Sequence, residues 1–198
     1  MKPFLITLGI VSLIALAVLS RSVFGLEKPE YTLVSKSGSL EVRTYEPVMV
    51  ASTSLQGDYR ESSRSGFRTI ANYIFGGNQE EQKVAMTAPV LMENPNAAQY
   101  TMAFVMPKES VEQGLPTPST DRLKLQTQNW GTVAVWSFGG WATEERLAKE
   151  WPKMQSALQK QGLASKTTYD WVAQYSPPSL PPPFRHNEIW MMLESPTP

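Results

Sequence analysis

The apolar and polar positions divide the chain into one uninterrupted apolar run and a long patterned region. Residues 3–20 carry no charge, with Lys2 before the run and Arg21 after it. From Glu27 onward, segments of period two alternate with two segments of helical period. Leu40, Val42 and Thr44 alternate with Glu41 and Arg43, and Val48 and Val50 resume after Glu46-Pro47, which predicts a hairpin. Phe67, Ile70, Ala71 and Ile74 then recur at helical spacing, predicting a helix over residues 59–75 that Gly76-Gly77 stops. Residues 84–92 and 99–106 read as strands joined by the turn Asn94-Pro95-Asn96. Pro89 interrupts the first of them, so this segment, KVAMTAPV, is expected to pair only partly and to bend.

The same order follows a second time. Laying residues 40–58 over 123–141, an offset of 83, matches Leu, Thr, Val, Ala, Ser and Gly at six positions. In this copy Leu123, Leu125 and Thr127 form a hairpin with residues 132–138 around Asn129-Trp130-Gly131. Thr143 caps a helix carrying Leu147, Trp151, Met154 and Leu158, kinked at Pro152 and ended by Gly162. The last strands are expected over residues 168–175 and 188–193, separated by the proline-rich SPPSLPPPFRH, and residues 109–120 link the copies. Two copies of strand-strand-helix-strand-strand, over about residues 31–108 and 121–194, predict an α+β fold. Its form is a closed or nearly closed twisted antiparallel β-barrel of about eight strands with two flanking helices, because closure removes exposed edges.

Composition narrows the possible functions. A chain of 198 residues fits one domain with a substantial core. Eighteen basic and eighteen acidic residues, without a run of like charge, give no broad basic surface for nucleic acid. The absence of Cys excludes disulfides, thiolate metal sites and thiol catalysis. A single histidine, His186, leaves no material for a multi-histidine metal cluster or a Ser/His/Asp triad. The apolar run at 4–19 is slightly short for a relaxed membrane span and slightly long for a signal-peptide core. Residues 1–26 therefore read either as a cleaved signal or as an uncleaved membrane anchor. In either case the domain at 27–198 is expected to be exported: anchored with an extracytoplasmic domain, or secreted or periplasmic after cleavage. It is expected to be a monomer.

Arg60, Arg64 and Arg68 follow one another at four-residue spacing, along a ridge that borders the apolar face of the first helix. Such an edge suits a flat apolar ligand carrying carboxylates, its rings on Phe67, Ala71 and Phe75 and its acids on the arginines. The alternative is a solvated face, paired with Glu61 or with nothing. His186, at a loop-to-strand junction, reads as exposed or hydrogen-bonded and is not assigned as a ligand. Met86 reads as core filling. No metal ligand is assigned. Glu188 shares a strand face with Trp190 and Met192 and is expected to be partly buried and paired with Arg185, with no second carboxylate spaced to support catalysis.

Several of these stretches together resemble the SOUL haem-binding proteins over nearly all of residues 27–194. They are YEP at 45–47, NYIFGGN at 72–78, VAMTAPV at 84–90, WSFGGWAT at 136–143 and YSPPSLPPPFRHNEIW at 175–190. The resemblance implies a twisted antiparallel barrel with internal pseudo-twofold symmetry. It also implies binding of haem or a related porphyrin in a groove between the first helix and the loop joining the last two strands. Arg64 occupies the basic position that meets propionates in relatives, and Arg60 and Arg68 extend it by helical geometry. Tyr175, Leu180 and Phe184 are the corresponding wall on the loop side. His186 stands where relatives often carry Arg, and the helix lacks the family's lysines. Porphyrin is accordingly expected to be held by apolar contact, without a protein axial ligand, by a non-enzymatic carrier, buffer or sensor. Two other functions fit the chain: a small-ligand enzyme or effector-binding domain using Glu188 and Tyr175, and a protein-interaction module using the proline-rich segment.

Overall fold

The computed structural model describes residues 25–93, 99–165 and 171–194, with the side chain of Arg60 outside the description. The apolar run, the Asn94-Pro95-Asn96 turn and the start of the penultimate predicted strand lie outside the described residues. Among the described residues nine strands form one antiparallel sheet: β1 (Tyr31–Ser37), β2 (Leu40–Tyr45), β3 (Val48–Gln56), β4 (Val90–Glu93), β5 (Gln99–Val105), β6 (Leu123–Gln128), β7 (Gly131–Phe138), β8 (Trp171–Gln174) and β9 (Asn187–Met192). Three α-helices accompany it among the described residues: α1 (Tyr59–Ile74), α2 (Lys108–Gln113) and α3 (Glu144–Lys160). Their order across the sheet is β1-β2-β7-β9-β8-β4-β5-β3-β6.

This order corrects the expected barrel. The sheet is a curled half-barrel with nine strands, and β1 and β6 are edges that each pair on one side among the described residues. It also corrects both expected hairpins. Strand β2 pairs with β1 and β7, whereas β3 pairs with β5 and β6. The two-residue breaks at Glu46-Pro47 and Asn129-Trp130 therefore carry the chain across the sheet rather than back along it. The first strand of each repeat pairs with the second strand of the other: Leu40 faces Trp136, and Leu123 faces Thr53. The 83-residue offset seen in the sequence thus reappears as an equivalence of register.

The helices begin and end where local chemistry stops the ladder. Asp58 accepts the Glu61 N–H at 3.0 Å at the start of α1, and Gly76, at φ 104°, follows its end. Thr143 caps α3 by accepting the Arg146 N–H at 3.2 Å, and Gly162 at φ 65° lies past its last turn. The α3 helix continues through Pro152 to Lys160. Strand β4 begins only at Val90, directly after Pro89, so the proline opens the strand instead of interrupting it. The preceding stretch is tied by Val84 N–H to the Ile74 carbonyl at 2.8 Å and by the Thr87 hydroxyl to the Val105 carbonyl at 2.6 Å. Ala88 is buried, as a close approach requires, but Ala85 is exposed.

Alternation along the strands makes two cores. Leu40, Val42, Ala51, Met102, Phe104 and Ile189 face the helices with Ile70, Ile74, Leu147 and Met154. The opposite face gathers Tyr45, Val50, Trp130, Val135, Trp171 and Trp190.

Candidate functional site

Helix α1 lies along β5 in the same direction: Tyr59 meets Tyr100 at 5.9 Å between ring centroids, and Phe67 meets Phe104 at 5.5 Å. Its C-terminal end therefore reaches the end of the sheet where Val90 of β4 pairs with Gln174 of β8. The proline-rich loop leaves β8 at that same end. Burial splits the helix as its sequence requires, with Ile70, Ala71, Tyr73 and Ile74 inward. Phe67 and Phe75 flank that face yet remain 38% and 61% exposed. Arg64 and Arg68 are exposed beside them, and neither forms an ion pair among the described residues, Glu61 included. The structure thus brings Arg64, Phe67, Arg68, Ala71 and Phe75 onto one helix edge.

The loop wall is built separately. Pro182–Phe184 form a single 3-10 turn, after which Arg185 turns inward. Its guanidinium donates to the carbonyls of Pro177 at 2.8 Å, Ser176 at 3.1 Å and Leu180 at 3.2 Å, and stacks 4.0 Å from the Trp141 ring. Burial lowers the pKa of this guanidinium from its ordinary value, and the three carbonyls give its protons partners. Phe184 is left 72% exposed, while Leu180 and Tyr175 are half-buried. No hydrogen bond, ion pair or ring contact joins residues 61–74 to this loop among the described residues.

The expected pair of Glu188 with Arg185 does not form, because Arg185 is committed to the loop carbonyls. Glu188 points into the face opposite the helices, where it is 1% exposed and accepts from four side chains. Arg43 donates through Nη2 at 3.0 Å and Nη1 at 3.2 Å, the Tyr175 hydroxyl at 2.8 Å, Trp190 Nε1 at 2.7 Å and His186 Nε2 at 3.0 Å. Burial alone would raise its pKa. The His186 bond, the Arg43 charge and the bonds from Trp190 and Arg43 outweigh burial and hold it down at about 2. Glu41 backs Arg43 at 2.6 Å and is itself paired with Lys36 at 2.8 Å, so charges alternate from the buried centre to the surface. Desolvation and the Glu188 charge push the Tyr175 hydroxyl well above its usual range. A carboxylate so saturated is a weak proton acceptor, and a hydroxyl so held is a weak acid. His186 is hydrogen-bonded through Glu188 and packs 4.9 Å from the Tyr175 ring, as its place in the sequence suggests. Sequence reasoning missed the part of Arg43: on a strand with period two, an arginine opposite apolar residues reads as solvent-facing, and its partner lies 145 residues away.

Among the described residues no group of three or more His, Asp or Glu could hold a metal ion, and no helix is long and apolar enough to cross a membrane. The α1 edge from Arg64 to Phe75 presents aromatic rings and guanidinium groups, and this stretch contains no His, Cys or Met.

An α+β domain with an open antiparallel sheet, an aromatic-basic helix edge and a clamped proline-rich loop defines a fold class rather than one activity. The SOUL heme-binding protein family model matches residues 26–192, and the chain belongs to that family. Heme-binding protein 2 of Mus musculus is 27% identical over 169 residues, covering 80% of each chain. Heme-binding protein 1 of Xenopus laevis is 26% identical, covering 85% of this chain and 93% of its own. Among solved structures, an uncharacterized conserved protein from Listeria innocua shares the fold at a TM-score of 0.56 and 14% identity, over 81% of this chain and 94% of that one. A hydrolase from Listeria innocua does so at 0.54 and 12%, over 81% and 94%. The EcmrR C-terminal domain does so at 0.55 and 9%, over 83% and 98%.

Proposed function

We propose that the protein binds haem or a related porphyrin on the edge of α1, and carries, buffers or senses it without reacting with it. The observation that carries this reading is the exposure of Phe67 and Phe75 beside Arg64 and Arg68, none of the arginines' charge being spent on a neighbouring acid. Exposed large aromatics at this spacing cost solvation that a flat ligand recovers, and a free guanidinium pairs with a carboxylate at the ligand's rim. Membership of the SOUL family supplies the ligand class. Arg60 precedes Arg64 by four residues in the sequence, and Leu180 and Phe184 stand on the proline-rich loop at the same end of the sheet, while Tyr175 turns its hydroxyl to Glu188 on the opposite face and is left out of the proposed wall. Because these residues offer no axial ligand, haem and metal-free protoporphyrin bind with similar affinity. Absorbance titration of the full-length protein tests the reading: the Soret band shifts with wild type, and Arg64→Glu weakens binding by about tenfold, the loss of one ion pair plus a new repulsion. Unchanged haem absorbance at micromolar protein refutes it.

The same chain is proposed to act outside the cytoplasm, anchored through residues 1–26 or released after their removal. Fractionation and N-terminal sequencing of the expressed protein decide between the two.

A further inference from the structure

An open concavity lies away from α1 and from the proline-rich loop, between α3 and the turn that joins β1 to β2. Its volume is about 650 Å³, within the range of small-molecule sites. Ser37, Gly38 and Ser39 form one wall, and Pro152, Lys153, Ser156, Lys160 and Gln161 the other. Trp136 and Ala157, both packed against the helix-side core, form its base. The turn is held in place by Gly38 at φ 61°, a conformation that favours glycine, and by the Ser137 N–H to the Ser39 carbonyl at 3.0 Å.

Two features give this cleft a chemical preference. Its charged lining is cationic throughout: Lys153 and Lys160 contribute, and no carboxylate does. Lys153 leans on Glu150 at 2.9 Å, but that one carboxylate also takes Arg146 at 3.1 Å and the Trp136 indole N–H at 3.1 Å. Glu150 is thereby outnumbered, and Lys160 has no ion pair among the described residues. The Trp136 N–H is likewise already committed, so the indole offers the cleft apolar surface rather than a donor. Around that surface the hydroxyls of Ser37, Ser39 and Ser156 and the Gln161 amide supply short-range hydrogen bonds.

We propose that this cleft binds a small amphipathic organic anion, an aromatic or aliphatic body bearing a carboxylate, sulfonate or phosphate. The body lies on Trp136 and Ala157, and the acid group meets Lys160 and Lys153. The site is independent of the porphyrin reading, since it shares no residue with α1 or the proline-rich loop.

The probe is 2-naphthalenesulfonate, titrated calorimetrically into the full-length protein in detergent solution against a detergent blank, with naphthalen-2-ylmethanol as its uncharged counterpart. Wild type gives saturable one-to-one binding, and the uncharged compound binds at least about fivefold more weakly. Lys160→Glu, a surface change in the last turn of α3, weakens the sulfonate about tenfold. Ala157→Trp, which fills the base, removes saturable binding. Arg64→Glu on α1 leaves the affinity within twofold of wild type. Circular dichroism confirms that Lys160→Glu is folded. The proposal is overturned if wild type shows no saturation, if Lys160→Glu binds as tightly as wild type, or if Arg64→Glu abolishes binding, which would move the probe to α1.

Discussion

Replacing Glu188 by glutamine tests whether the buried charge hub stabilises the half-barrel. The carboxylate receives five hydrogen-bond contacts from Arg43, Tyr175, Trp190 and His186. Glutamine keeps one acceptor oxygen and turns a donor group towards the others, so at least two donors, one of them on buried Arg43, lose this contact. Arg43 is left with Glu41 as its one acidic partner beside the Tyr45 hydroxyl and the Tyr31 ring, its side chain 7% exposed. Breaking a buried pair from one side costs roughly 3–5 kcal/mol, and the surviving Glu41 contact places Glu188→Gln near about 3 kcal/mol. Urea unfolding of wild type and variant at pH 7 reads this as a lower midpoint at unchanged slope. The pH dependence follows from the same group. Its folded pKa, about 2, lies below the unfolded value of 4.5, so its contribution is full above pH 4.5 and fades as pH falls towards 2. That shift corresponds to roughly 3 kcal/mol, in line with the mutational figure. The stability gap between wild type and Glu188→Gln should therefore narrow over that interval. The double variant Arg43→Met/Glu188→Gln should cost less than the two single losses added, because removing both charges leaves neither stranded. A loss under about 1 kcal/mol, or strict additivity, refutes the hub.

Three further outcomes are expected. Arg185→Ala removes three carbonyl contacts and the stacking on Trp141, and should expose the proline-rich loop to proteolysis at a rate at least about tenfold above wild type, while costing about 1–3 kcal/mol of global stability. Thr87→Val strips the buried bond to the Val105 carbonyl and should lower stability by about 1–2 kcal/mol in thermal unfolding. Thr143→Ala removes the cap of α3 and should cost about 1 kcal/mol, lowering Tm by about 2–4 °C.

Much of this architecture was legible because periodicity reports burial. Both long helices, the Thr143 cap, the glycine stops and the duplicated order follow from residues close together in the chain. What was not legible depends on pairing across the chain. Glu46-Pro47 and Asn129-Trp130-Gly131 carry turn chemistry, yet neither break closes a hairpin, since each first strand finds its neighbour in the other repeat. Strand β1 was missed because all seven of its residues are exposed, so no buried face marks it. Helix α2 was absorbed into the linker, being six residues with none buried. At the candidate site, the helix edge was readable from the spacing of Arg64, Phe67, Arg68, Ala71 and Phe75. The target of Arg185 was not, because bonds to backbone carbonyls leave no mark on residue identity.

The two faces of the sheet also constrain where a large flat ligand can lie. Inside the curl, Trp190 stacks on Tyr45 at 4.9 Å and meets Trp130 edge-on at 5.1 Å, with Glu188 and Arg43 sealed beside them. A macrocycle entering there would have to part these rings and strand the charge pair, costs of several kcal/mol before any contact is gained. On the α1 edge it would displace water alone, since Phe75 is already exposed and Arg64 and Arg68 are free of neighbouring acids. On the proposed reading the interior sets the rigidity of the platform and the α1 rim receives the ligand. A variant that loosens the hub, such as Glu188→Gln, should accordingly lower stability far more than porphyrin affinity, and Arg64→Glu the reverse. Equal effects of both substitutions on affinity would show that the ligand reaches the interior.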